Sequence, residues 1–199
     1  MKGFKKFGGA EIEDLGLYIQ EYLALHDDVK VLVGCDSEQY KKYTKYAVTV
    51  CLYHAGKGAH VIFKTENAKC AEGRHVKIRN IAERLWSEIE KVKVVAEYLE
   101  TALDGHVRRM PETELAELGY EAIQNKLVEV HVDFNPNPHT PIQISRRGRK
   151  RRSLRRMTVN KSNQLHPTAV GYLVGNGFRV KTKPFAWAAS CAADLICRK

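Results

Sequence analysis

The chain has 199 residues, of which 44 % are hydrophobic, and its formal net charge at pH 7 is +10. This length and composition predict one domain, residues 1–199, with a substantial hydrophobic core. No apolar run is long enough to span a membrane, and the N-terminal lysines precede no apolar stretch typical of a signal peptide, so we expect no membrane partner.

The cysteines indicate a reducing compartment. The chain has five cysteines, an odd number, and none of them forms a Cys-x-x-Cys pair. This pattern argues against a disulfide framework and against a zinc site, and it favours reduced thiols. We therefore predict a cytoplasmic protein.

The first part of the chain predicts one helix and three strands. Apolar spacing over residues 10–26 indicates a short amphipathic helix. A β-branched run from residue 29 onward predicts a buried strand that ends at Asp36. Two further strands follow at residues 46–53 and 59–65, and their short polar connections make the three strands an antiparallel meander.

The hydrophobic period then becomes helical, which predicts a long helix over residues 75–103 that can cross a sheet. Residues 104–124 are interpreted as a helical insertion. The remaining predicted elements are a fourth strand (127–134), a helix (160–174), a fifth strand (178–182) and an Ala-rich terminal helix (187–196). The order β-β-β-α-β-α-β-α predicts an α/β fold with a mixed five-stranded sheet and helices on both faces.

The basic character of the chain is concentrated in one segment. Without its eight positive charges, the total of +10 falls to about +2. We interpret residues 140–158 as a mobile, Arg-rich loop that grips nucleic-acid phosphates without reading sequence. Few aromatic residues accompany the run, so base stacking within it is poorly supported, and a nuclear-localisation signal has the same composition. The predicted substrate-binding residues are Arg146, Arg147, Arg149, Lys150, Arg151, Arg152, Arg155 and Arg156.

Four carboxylates are expected to converge. Asp36 and Asp133 end the first and fourth strands, which are predicted neighbours in the sheet. Glu88 interrupts the apolar stripe of the long helix, and Asp194 is the sole acid of the terminal helix. Clustered carboxylates repel one another unless cations neutralise them, and an oxygen-only site prefers Mg²⁺ or Mn²⁺. Two such ions can support hydrolysis of a phosphodiester.

Each acid also has a purely structural interpretation. His131 shares the strand face of Asp133 by alternation, and it is interpreted first as a satisfied buried histidine. The structural alternatives are a turn cap for Asp36, a turn at Asn135-Pro136 for Asp133, ion pairs with Arg84 or Lys91 for Glu88, and an ion pair with Arg198 for Asp194.

The chain resembles the ribonuclease H-like family of the YkuK type from about residue 29 to its end. The residues that carry the resemblance are Gly34-Cys35-Asp36-Ser37, His131-Val132-Asp133, and Lys183-Pro184 through Ala193-Asp194. The resemblance implies a ribonuclease H fold and a metal-dependent nuclease. Glu88 matches the family's helical glutamate best, and Glu83 is the competing candidate. The insertion and the basic segment depart from the family pattern and leave the substrate preference open.

The sequence therefore supports two functional hypotheses. The first is a nuclease acting on RNA, an RNA–DNA hybrid or structured DNA, in which Asp36, Glu88, Asp133 and Asp194 are both catalytic residues and ligands of two Mg²⁺ or Mn²⁺ ions. The alternative is a non-catalytic nucleic-acid-binding protein on the same fold, in which the Arg-rich segment is the functional part. No Gly-rich phosphate-binding loop supports nucleotide binding.

Overall fold

The computed structural model describes residues 1–26, 28–70, 72–107, 128–146, 149–159 and 161–199, with only the backbone described for 105–107, 139–146, 149–159 and 161. Its elements are β1 (Phe4–Lys6), β2 (Glu11–Ile12), α1 (Leu15–Leu25), β3 (Val29–Gln39), β4 (Thr44–His54), β5 (Gly58–Asn67), α2 (Ile81–Val107), β6 (Val128–Val132), β7 (His139–Arg146), β8 (Arg149–Val159), α3 (Lys161–Gly175), β9 (Arg179–Lys181), a π-helix (Ala188–Ala193) and α4 (Asp194–Arg198). Within this described part, no helix is long and apolar enough to cross a membrane.

The main sheet is mixed and has the strand order β2-β1-β5-β4-β3-β6-β9. Strands β3, β4 and β5 form the predicted antiparallel meander, and β6 and β9 run parallel to β3. The predicted α/β class is confirmed, although the sheet has seven strands among the described residues rather than five. The two additional strands, β1 and β2, have three and two residues, which is too short to show an alternating pattern.

Helices cover both faces of this sheet. On one face, α1, α2 and α3 bury the larger hydrophobic core against side chains such as Val33 of β3 and Val50 of β4. On the opposite face, the π-helix and α4 pack on Leu32, Cys51 and Ala47. The alternation of side chains along each strand therefore separates two cores, and the second core positions the C-terminal segment over the centre of the sheet.

Two helices begin later than predicted. Helix α1 begins at Leu15 because the Asp14 carboxylate accepts a hydrogen bond from the Leu17 N–H at 3.0 Å and caps the first turn. Helix α2 begins at Ile81, where the Asn80 side chain accepts from the Ala82 N–H at 2.9 Å. It continues to Val107, and the rest of the predicted insertion lies outside the described residues.

The Arg-rich segment contains two strands where a loop was predicted. Its described residues belong to β7 and β8, which pair antiparallel as a separate two-stranded sheet. The register places Ile144 opposite Arg151 and Ser145 opposite Lys150. The prediction considered the charge run alone, whereas the strand partner is the less charged stretch that precedes it.

Candidate functional site

Asp36 and Asp133 lie on adjacent parallel strands at the same level of the sheet. The last paired residues of β3 and β6 are Cys35 and Val132, and each aspartate is the next residue along its strand. Asp36 is not the end of its strand, as the sequence predicted, because β3 continues to Gln39 by pairing with β4. It marks instead the point where pairing with β6 ends. Both aspartates are partly buried.

The C-terminal segment packs on the sheet face that carries these two aspartates. Asp36 shares its face with Gly34, where an added Cβ would lie 2.5 Å from the carbonyl carbon of Ala188. Asp133 shares its face with His131, whose Nδ1 accepts a hydrogen bond from the Ala188 N–H at 3.0 Å. The π-helix that begins at Ala188 leads directly into Asp194, the first residue of α4.

Glu88 approaches the same end of the sheet from helix α2. Its side chain is 4 % exposed and accepts a hydrogen bond from the Ser37 hydroxyl, next to Asp36 in β3. Arg84 donates to the Ser37 carbonyl at 3.2 Å, and Lys91 pairs with Glu66 rather than with Glu88. Glu83, the competing candidate, is exposed. Of the two helical glutamates, Glu88 is the one that lies against the strand of Asp36.

The charges of the four acids act on one another. Burial raises the pKa of Asp36 to about 7, with further increases from the charges of Asp133 and Asp194. Burial and the charge of Asp36 raise the pKa of Glu88 well above its usual range. Burial also raises the pKa of Asp133, although Lys183 opposes this increase. Such mutual repulsion in a partly buried site is relieved by a cation.

Two of the acids are neutralised by cations of the chain itself. The ammonium of Lys183 lies 2.8 Å from Oδ1 and 3.0 Å from Oδ2 of Asp133. Arg198 lies 2.8 Å from Asp194, which is the helical ion pair considered as its structural alternative. Among the residues that the structure describes, no three His, Cys, Asp or Glu side chains are placed to hold a metal ion. The oxygen-only donor set suits a hard divalent cation, and Lys183 and Arg198 would have to release their partners for it to bind.

His131 is the satisfied buried histidine that its position suggested. Its Nε2 lies 2.9 Å from the Glu129 carboxylate, and its Nδ1 accepts from Ala188. This hydrogen-bond network assigns the proton to Nε2. His131 therefore fixes the C-terminal segment to β6 and has no free ring nitrogen for substrate.

Lys183 is a site residue whose role does not follow from the sequence pattern. Lys183 lies two residues beyond the end of β9, the parallel neighbour of β6. The available signal was its position just after a strand parallel to β6. The carboxyl ends of parallel strands lie together, so Lys183 and Asp133 are expected at the same end of the sheet.

The predicted phosphate-binding role of the Arg-rich segment stays a prediction. Arg147 lies outside the described residues, and the other seven basic residues are described only by their backbone in β7 and β8.

A family model described as Ribonuclease H-like matches residues 12–146 of the chain. The matched part contains Asp36, Glu88 and Asp133, and it ends before Asp194. Comparison with curated proteins and with solved structures found no match. The match covers more than half of the chain and agrees with the mixed sheet. The chain therefore belongs to the ribonuclease H-like family.

Proposed function

We propose that this protein is a divalent-metal-dependent nuclease that hydrolyses phosphodiester bonds of RNA, an RNA–DNA hybrid or structured DNA. The observation that supports it best is the placement of Asp36 and Asp133 directly after the last paired residues of the adjacent parallel strands β3 and β6. Glu88 and Asp194 lie close enough to act electrostatically on this pair. Membership of the ribonuclease H-like family agrees with a nucleic-acid substrate.

In this proposal the four carboxylates hold one or two Mg²⁺ or Mn²⁺ ions. When bound, such ions supply an activated water and stabilise the departing 3′-oxygen. The chain contributes the arrangement of the ligands: β3 and β6 fix Asp36 and Asp133, and α2 presents Glu88. Because burial raises the pKa of Asp36 and of Glu88, metal binding requires these groups to lose protons and should strengthen as the pH rises.

The test is cleavage of end-labelled single-stranded RNA, RNA–DNA hybrid and branched DNA in Mg²⁺, with an EDTA control. We expect Asp36→Asn to lower the rate by about a hundredfold or more, because the substitution removes a ligand charge where charge develops in the transition state. Glu83→Gln removes an equal charge from an exposed position on α2 and should cleave like the wild type. Equal cleavage by wild type and Asp36→Asn would falsify the proposal.

Lys183→Met provides a second test that needs no substrate. The ammonium of Lys183 competes with a divalent cation for both oxygens of Asp133, so its removal should tighten Mn²⁺ binding by about tenfold at pH 8. Isothermal titration calorimetry measures the affinity. Lys64→Met removes a lysine that pairs with Glu66 on β5 and should leave the affinity unchanged. Unchanged or weaker binding in Lys183→Met would contradict competition at Asp133.

The second candidate function is nucleic-acid binding without catalysis. The engagement of Asp133 by Lys183 and of Asp194 by Arg198 favours it, because both acids already have counter-charges. In that case Mn²⁺ gives no saturable heat, EDTA leaves oligonucleotide binding intact, and deletion of residues 146–156 abolishes the binding. Saturable Mn²⁺ binding that is lost in Asp133→Asn would instead support the nuclease.

A further inference from the structure

Two large aromatic side chains are exposed next to the candidate site. Phe185 is 73 % exposed and Trp187 is 40 % exposed, whereas Ala186 between them and Ala188 after them are fully buried. The small residues therefore anchor the segment in the protein, and the two rings project from it into solvent. The segment joins β9 to the π-helix.

Contacts with β6 and the residues that follow it hold this aromatic segment at both ends. Before the rings, the Lys183 N–H donates to the Phe134 carbonyl at 3.2 Å, and its ammonium contacts Asp133. After the rings, the Ala188 N–H donates to His131 at 3.0 Å. Because Phe185 is two residues from Lys183, their Cα atoms are at most about 7 Å apart. The backbone that carries the two rings is thus held beside β6 and the residues that follow it, which include Asp133.

In the described part of the chain, neither ring has a ring or cation partner of the kind that other aromatic residues have. Within the described ranges, Trp86 packs on Tyr172 with ring centroids 5.2 Å apart, and the exposed ring of Phe7 lies under the ammonium of Lys199 at 4.4 Å. No such ring or cation contact is found there for Phe185 or Trp187. Two exposed rings two residues apart mark a recognition surface more strongly than a single exposed apolar residue does.

The charges around the two rings favour an anionic polymer as the partner. Lys181 and Arg179 of β9 are exposed, and the side chain of Lys183 is 42 % exposed. Exposed aromatic rings together with cations are the features with which proteins bind single-stranded nucleic acids, because the rings stack on bases and the cations contact phosphates. In a duplex the bases are stacked on one another and offer no free face.

We propose that Phe185 and Trp187 stack on unpaired nucleobases and so direct a single-stranded stretch of RNA or DNA to the carboxylate site. The inference rests on the proposed function for the role of that site. It also revises the expectation that stacking is poorly supported, because these rings lie outside the Arg-rich run on which that expectation was based. The substrate class is then a strand with unpaired bases rather than a continuous duplex.

Fluorescence of Trp187 tests this contact directly. The chain has two tryptophans, so Trp86→Phe leaves Trp187 as the only one and keeps an aromatic ring against Tyr172. We titrate this variant in EDTA with a single-stranded twelve-nucleotide RNA, the matching DNA strand, and a blunt duplex of the same sequence. Both single strands should quench the fluorescence at saturation, and the duplex should not. Binding of single strands without quenching would overturn the proposal.

Substitutions then separate stacking from general attraction. Phe185→Leu and Trp187→Leu should each weaken single-strand binding about tenfold and leave duplex binding unchanged. The aromatic replacements Phe185→Tyr and Trp187→Phe should retain the affinity, and Phe7→Leu removes an exposed ring elsewhere as the matched control. Equal losses for single strands and duplex, or an equal loss in Phe7→Leu, would contradict stacking. Self-association that both leucine variants reverse, without quenching by oligonucleotides, would assign the rings to a protein contact and also overturn it.

These binding measurements are independent of the nuclease proposal because EDTA removes divalent ions. If single strands quench the Trp187 fluorescence but the protein cleaves no substrate, the stacking surface is supported and the nuclease proposal is contradicted. If the protein cleaves a substrate in Mg²⁺ but single strands do not quench the Trp187 fluorescence, the nuclease proposal is supported and the stacking surface is contradicted.

Discussion

Replacement of Gly34 by alanine is expected to lower the free energy of unfolding by about 3 kcal/mol. A Cβ at this position would lie 2.5 Å from the carbonyl carbon of Ala188 and from the nitrogen of Ala189. Both are backbone atoms, so no side-chain rotation relieves the overlap. The π-helix cannot retreat easily, because Thr49 donates to the Ala188 carbonyl at 2.9 Å and His131 accepts from the Ala188 N–H at 3.0 Å.

Urea unfolding monitored by circular dichroism measures this change. Gly171→Ala is the matched control, because no atom beyond its chain neighbours and its own helix backbone lies within 4 Å of the position that its Cβ would take, and alanine favours a helix at this exposed position of α3. It should stabilise the protein by up to about 1 kcal/mol. Similar midpoints for Gly34→Ala and Gly171→Ala would mean that the contact between β3 and the π-helix is not tight.

The same substitution connects packing to the candidate site. The segment that a Cβ at Gly34 would displace carries Asp194 at the end of the π-helix. Limited proteolysis should therefore cut Gly34→Ala near its C-terminus faster than the wild type, and its Mn²⁺ binding should weaken although no acid has been changed.

The parts of the fold that could be predicted from the sequence are those whose hydrophobic residues repeat with the period of a strand or a helix. The meander, α2 and the placement of Asp36 and Asp133 on adjacent strands follow from alternation, helical spacing and the neighbourhood of parallel strands. Strands β1 and β2 carry too few residues for a pattern. The pairing of the Arg-rich strand β8 depends on β7, the less charged strand that precedes it, rather than on the charges of β8 itself.

The residues of the candidate site also divide into those that could be identified from the sequence and those that only the folded structure brings together. Glu88 could be identified from the sequence because it is the lone glutamate in an apolar helical stripe, and a buried charge without a partner is costly. The contacts of Lys183 with Asp133 and of Phe134 with the Lys183 N–H join residues about fifty positions apart. No spacing rule connects such residues, so only the folded structure shows that a cation of the chain lies on a proposed ligand.

In the absence of divalent ions, we expect Asp36→Asn to be more stable than the wild type at pH 8, by about 2 kcal/mol. Burial, with the nearby charges of Asp133 and Asp194, raises the pKa of Asp36 from 3.8 to about 7. The folded protein therefore binds more protons than the unfolded chain between about pH 4 and pH 7. The free energy of unfolding is highest below this window and decreases as the pH rises through it, by up to about 4 kcal/mol. Asparagine carries no charge and avoids most of this loss.

Urea unfolding in EDTA at pH 5 and at pH 8 measures the difference between the two proteins. At pH 5 most Asp36 carboxyls are protonated in the folded state, so the two midpoints should nearly coincide and then diverge at pH 8. His60, whose pKa is lowered by burial, destabilises both proteins equally as the pH falls and cancels from the comparison. Glu11→Gln, an exposed acid paired with Lys5, should show no such divergence.

Addition of Mg²⁺ at pH 8 should then stabilise the wild type more than Asp36→Asn, because a bound cation removes the repulsion that the substitution also removes. The carboxylates that destabilise the metal-free protein are the ones proposed to hold the ion, so stability and function should change in opposite directions at this position. If Asp36→Asn were less stable than the wild type at pH 8 without metal, the partner of Asp36 would be a cation of the chain itself, and its carboxylate would not be free to bind Mg²⁺.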